Sequence, residues 1–146
     1  MINIHEKTLK DIEFPTVLKQ VSELCITLLG NESALQITPL KTKEALVNAL
    51  KLTNEYLSSF YNDNRIPNHG FDAITKELKL LRIENTYLEV HSLKKIVSIS
   101  TTVNDIIIFL KKFADYYPTL HDFASHIEVT KAIIEKIDTI VDRFGD

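Results

Sequence analysis

The chain has a single cysteine, Cys25, no tryptophan, and only three glycines and four prolines in 146 residues. One cysteine excludes an internal disulfide and any zinc site built from several thiolates, and agrees with a reducing compartment. The glycines Gly30, Gly70 and Gly145 stand far apart. A phosphate-cradling loop of the G-x-x-x-x-G-K-[ST] type needs two glycines five positions apart, so the chain has no Walker A site. The longest uninterrupted apolar run is Ile106 to Leu110, far short of the roughly 20 residues that a membrane-spanning helix requires. Before Glu6 the N-terminus offers only Met1 to His5, with neither a basic stretch nor an apolar signal core. Secretion is therefore not indicated, no membrane partner is expected, and a cytoplasmic location is. A cationic excess is missing too. The formal net charge of −3 argues against nonspecific grip on a phosphate backbone as the main task, since that requires clustered Lys and Arg.

What remains is an ordinary globular composition, 45% hydrophobic and 25% charged, enough for one modest core. With so few breakers, helical periodicity runs far and predicts an all-α fold. Pro15 sits where a helix tolerates proline best, in the first turn. From there Phe14, Val17, Leu18, Val21, Leu24, Cys25 and Leu28 recur at three- and four-residue steps on one stripe. The spacing predicts one helix to Leu29, closed by Gly30 in the left-handed conformation. Asn31 is then expected to cap a short helix from Glu32 to about Ile37, which Pro39 ends.

Thr42 can cap a third helix that keeps its apolar spacing through Leu46, Ala49, Leu50, Leu57 and Phe60 to about Tyr61. The segment Asn62 to Gly70 concentrates turn formers and is the most loop-like part of the chain. Phe71, Ile74, Leu78 and Leu81 predict a fourth helix ending near Ile83. Two periods compete between Lys95 and Leu110, where Val97, Ile99 and Thr101 alternate as a strand could. The set Leu93, Ile96, Val97, Ser100, Val103, Ile107, Leu110 and Phe113 fits a helix over more residues, so one helix from near Glu89 to about Asp115 is expected. Pro118 ends it, Leu120 and Phe123 suggest a short helix, and Val129, Ile133, Ile137, Ile140, Val141 and Phe144 a last one. The reading is an irregular bundle of about five main helices plus short ones. No composition shift marks a linker, so residues 1–146 read as a single helical domain.

Thr27, Leu29 and Gly30, then Ala34, then Pro39 and Leu40 resemble the pattern that opens the core domain of the MutS family. The start at Leu9 to Phe14 is more similar to the short second bacterial lineage of that family, which lacks the mismatch-reading domain and begins directly with the core. The resemblance continues through Gly70, Phe71, Asp72, Ile74, Leu78 and Leu88, and extends to Glu135, Ile137, Asp138 and Gly145. It implies the first part of a MutS core domain, that is, an N-terminal fragment of a longer protein. The parent would continue into lever helices, an ATPase domain using ATP and Mg, and usually a small nuclease domain. As a homodimeric nucleic-acid clamp it would act on branched DNA to suppress recombination, on collided ribosomes, or on both. No catalytic position of that parent falls in this chain, which is expected to be structural, non-enzymatic and free of cofactors of its own. Its partners would be the rest of the parent and, through it, DNA or the ribosome.

Chemistry-bearing residues are sparse. His121 and His126 are five apart, which does not place them on one helix face as metal ligands require, so no metal site is expected. His69 lies in the polar loop and reads as solvated or turn-bonding, while His5 and His91 carry no signal. Cys25 lies on the apolar stripe without a basic neighbour in sequence, so a small buried hydrophobe is expected rather than a nucleophile. Carboxylate pairs such as Asp11 and Glu13, or Glu135 and Asp138, fit the outer faces of amphipathic helices. One basic strip stands out. Lys76, Lys79 and Arg82 recur every three residues on the fourth helix, diluted by Glu77 and Glu84 and extendable by Arg65. These four residues are the candidate nucleic-acid contacts. The alternative to a MutS core segment is a free-standing helical module that binds a partner protein through an apolar groove or the Asn62 to Gly70 loop.

Overall fold

The computed structural model describes residues 4–141. Among the described residues there are eight helices and no strand: α1 (Glu6–Asp11), α2 (Phe14–Glu23), α3 (Leu28–Leu35), α4 (Lys43–Ser58), α5 (Thr75–Leu80), α6 (Val90–Lys112), α7 (Pro118–Ala124) and α8 (Lys131–Asp138). None is long and apolar enough to cross a membrane. The chain divides into two compact units between Asn54 and Glu55, within α4.

In the first unit, α1 is an element that the periodicity did not indicate. Glu13, at φ 55, turns the chain in the left-handed region between α1 and α2. Pro15 sits in the first turn of α2, as expected. The expected single helix to Leu29 is not formed: α2 ends at Glu23 and a new helix starts at Leu28. The Thr27 hydroxyl accepts a hydrogen bond from the Gly30 N–H at 3.0 Å, which makes Thr27 the N-cap of α3. Gly30 thus lies inside α3 rather than at a left-handed stop. Its value is room, since a Cβ there would stand 3.0 Å from Thr27 Oγ1. Asn31 is not a cap either; its side-chain amide reaches back to the Ser22 carbonyl at 3.0 Å and ties α3 to α2. Ser22 and Ala34 are the buried residues of these two helices. Cys25 is half-buried instead of fully buried, its thiol donating to the Val21 carbonyl at 3.4 Å. Leu24, which continues the stripe in sequence, is 83% exposed because the helix has already ended. Thr42 caps α4, accepting from the Ala45 N–H at 3.2 Å.

The second unit is organised along α6, the 23-residue helix over which the helical and strand periods competed. Helix prevails because Ile96, Ile107 and Leu110 all turn inward at helical spacing, whereas Thr101 of the alternating set is exposed. Lys111 and Lys112 occupy its last turn, where cations complement the helix dipole. Ile96 packs with Ile137 and Val141, flanked by Ile74, Leu88, Leu93 and Val97. Farther along, Leu110 packs with Tyr117 and Ala124, flanked by Ile106, Phe109, Phe113 and Leu120. The Phe109 ring lies 4.8 Å from Phe113 and 5.7 Å from Tyr117 between centroids, within ordinary aromatic packing range.

The fourth predicted helix is shorter than expected. Phe71 to Ile74 lie outside any helix, with Ile74 as the N-cap, and α5 covers Thr75–Leu80, although i→i−3 bonds at Arg82 and Ile83 carry the winding on to Ile83. Pro118 opens α7 as well as closing the segment before it, consistent with proline in a first turn. The last helix is also shorter, ending at Asp138 with a turn to Val141. Phe144 and Gly145, counted on above, lie outside the described residues, as do Met1 to Asn3.

Candidate functional site

The strongest polar features of the second unit are ties between distant segments. Glu55, in the last turns of α4, accepts the Thr119 N–H at 3.0 Å and the Leu120 N–H at 2.9 Å, one on each carboxylate oxygen. These N–H groups belong to the first turn of α7, which has no side-chain cap of its own. A carboxylate there satisfies two orphan donors and meets the positive end of the helix dipole. Tyr117 is 0% exposed, and its hydroxyl donates to the Asn64 carbonyl, holding the loop after α4. Tyr56 and His69 hold the same loop, with Tyr56 Oη 3.0 Å from His69 Nε2 and His69 Nδ1 3.2 Å from the Pro67 carbonyl. Because a carbonyl only accepts, Nδ1 donates to Pro67, and Nε2 is the ring atom that meets the tyrosine hydroxyl. His69 is therefore turn-bonding. Asn104, buried on α6, accepts the Thr130 N–H at 2.9 Å and so fixes the start of α8.

None of these groups forms a catalytic constellation. No cluster of three or more His, Cys, Asp or Glu that could hold a metal occurs among the described residues. His121 faces its neighbour Asp122 at 3.6 Å, and His126 stacks edge-on against Phe123 at 6.5 Å. Periodicity could not reveal Glu55, Asn104 or Tyr117, because each acquires its meaning from a partner far away in sequence. A weak signal existed for Asn104, which falls four residues after Ser100 and three before Ile107 on the inward stripe of α6.

The predicted nucleic-acid contacts are all exposed. Lys76 and Lys79 lie one turn apart on α5, Arg82 follows in the turn that continues its winding, and Arg65 stands apart in the loop after α4. Between the two lysines, Glu77 turns inward. It is 8% exposed, and its Oε1 sits 3.8 Å from Lys95 Nζ, while its Oε2 has no hydrogen-bond partner. The dilution of the strip expected from Glu77 is thus reduced, because that charge faces the interior.

The surface of the described residues also carries recesses. A broad one of about 790 Å³ is lined by Thr42 to Lys51 alone, and so is the flank of a single helix rather than an enclosed site. A second, of about 200 Å³, is lined by Lys94, Val97, Ser98, Ile137, Asp138 and Val141. A third, of about 190 Å³, is lined by Asp72, His91, Lys94, Lys95 and Ser98.

The chain is 23% identical over 140 residues to the endonuclease MutS2 of Alkaliphilus oremlandii, covering 94% of this chain and 18% of that protein. It is 27% identical over 145 residues to the endonuclease MutS2 of Caldanaerobacter subterraneus subsp. tengcongensis, covering 97% of this chain and again 18% of the relative. The likeness supports a MutS-related family. The chain spans less than a fifth of the length of these curated relatives. No protein-family profile and no solved structure matches it.

Proposed function

We propose that this chain is the N-terminal helical core segment of a MutS-like protein of the short second lineage, structural and non-catalytic. The observation that carries the reading is similarity to two MutS2 endonucleases along 94% and 97% of the chain but over only 18% of either relative. A match of that shape fits one structural segment within a much larger machine. The packing along α6, the Glu55 strut onto α7 and the Asn104 tie onto α8 suit a rigid element that passes rigid-body movement between sites. In the parent, ATP and Mg would be used by another domain. A homodimeric clamp would engage branched DNA or a stalled ribosome, with Lys76, Lys79, Arg82 and Arg65 adding phosphate contacts.

Exposed apolar residues in the first unit, including Val17, Val21, Leu24, Leu28 and Leu50, also suit the second reading, a free-standing module that docks a partner protein. One experiment separates the two. The gene is read beyond the codon for Asp146, and any downstream product is co-expressed with residues 1–146. A continuation bearing a Walker A motif, whose product co-purifies stoichiometrically with this segment, is the expected result. A stop codon after Asp146 would overturn the core-segment reading and favour the module.

A further inference from the structure

His91, Lys94, Lys95 and Ser98 recur along α6 at steps that share one helix face. With Asp72, from the non-helical stretch before α5, they line the cavity of about 190 Å³. Lys95 is engaged by Glu77 only at 3.8 Å, which occupies at most one of the three donors of its ammonium group. Among the described residues neither Lys94 nor Asp72 has an oppositely charged group within 4.0 Å. An acid and a base thus open onto one cavity without neutralising each other.

Helix stability does not account for this placement. Lys94 and Lys95 follow the first turn of α6, whose N-cap is Glu89, so neither lysine answers to the dipole, and only Lys95 faces a carboxylate, that of Glu77. Lys94 and Lys95 together favour a negative group in the cavity. Asp72 adds a second requirement, since it repels a bare anion but accepts from a hydroxyl, and Ser98 and His91 can donate or accept beside it. A phosphate ester with a nearby hydroxyl meets both demands, the lysines acting as point charges on the phosphate.

We propose that this cavity binds a phosphate ester bearing a nearby hydroxyl, of the ribose-phosphate type, with Lys94 on the phosphate and Asp72 accepting from the hydroxyl. The same chemistry occurs in a free sugar phosphate and in RNA, whose 2′-hydroxyl distinguishes it from DNA. The proposal stands on the cavity and does not depend on the family reading.

The test is a titration of the 146-residue chain, followed by backbone amide NMR, with ribose 5-phosphate, methyl phosphate, a single-stranded RNA and the matching DNA. Saturable shifts at His91, Lys94 and Ser98 are expected with ribose 5-phosphate, and weaker binding with methyl phosphate, which has no hydroxyl. Lys94→Gln should weaken ribose 5-phosphate about tenfold, the loss of one charge-assisted hydrogen bond. Asp72→Asn should erase the preference over methyl phosphate. Tighter binding of RNA than of ribose 5-phosphate and DNA at these same amides would assign the site to RNA; binding of ribose 5-phosphate alone would assign it to a small metabolite. The proposal is overturned if no probe moves these amides, if Lys94→Gln binds as the wild type does, or if methyl phosphate binds equally well.

Discussion

Replacing Glu55 by alanine removes both acceptors of the α7 N-terminus at once, the oxygens 3.0 and 2.9 Å from the Thr119 and Leu120 nitrogens. A hydrogen bond to a charged group contributes about 1.5–3 kcal/mol. Glu55 is half-buried, so water entering the vacated space would recover part of that. Loss of a helix N-cap costs about 0.5–2 kcal/mol, and the dipole interaction adds about 0.3–1 kcal/mol. The combined expectation for Glu55→Ala is a destabilisation of about 2–3 kcal/mol. Glu55→Gln keeps the shape and one carbonyl oxygen but turns an NH2 toward the second donor, so about half the loss is expected. At about 4–8 °C per kcal/mol for a unit of this size, the alanine variant should melt roughly 10–20 °C lower, followed by far-UV circular dichroism. Amide exchange at Thr119 and Leu120 should accelerate more than exchange in the middle of α6. A Glu55→Ala variant that melts within about a degree or two of wild type, or a glutamine variant as damaged as the alanine one, would refute the role of Glu55 as the cap of α7.

Four further outcomes are expected. Tyr117→Phe keeps the packing of a fully buried ring and removes only its bond to the Asn64 carbonyl, so urea titration should show a loss of about 1–2 kcal/mol. Asn104→Ala strands the Thr130 N–H at the start of α8 and should cost about 1–3 kcal/mol, while Asn104→Asp, which keeps the acceptor, should cost less. Changing Lys76, Lys79 and Arg82 together to Glu should reduce retention on heparin and weak DNA or RNA binding; unchanged retention would remove the strip from consideration. The exposed apolar residues of α2 and α4, among them Val17, Val21, Leu46 and Leu50, should produce weak self-association, which light scattering at high concentration would contradict by finding a strict monomer.

Local signals were readable wherever their partners lie within a turn or two. Thr42 was recognisable as a cap because its acceptor serves a donor three residues on. Pro15 marked a first turn by the same logic, whereas Pro118, read only as the end of the preceding helix, also opens α7. The break after Glu23 was missed for an equally local reason: Leu24, Cys25 and Leu28 preserve the helical period, and the signal that overrides it is the single Thr27 hydroxyl aimed at the Gly30 N–H. Pattern counting weighs seven apolar positions above one cap, whereas the chain needs the cap to satisfy orphan donors of a new helix. The cavity at Lys94 was hidden in another way, since His91 carries no signal until Asp72 stands opposite it.

By itself the sequence determined that the chain is helical and that it lacks a phosphate-binding loop of the G-x-x-x-x-G-K-[ST] type. These properties follow from composition and from interactions between near neighbours. Only the tertiary structure decided that Glu55 serves α7, that Asn104 serves α8, that Glu77 turns inward, and that lysines and an aspartate share one cavity. Each of those brings together residues of different elements, and apolar burial, being non-directional, leaves no mark in the sequence of which polar groups it will bring face to face.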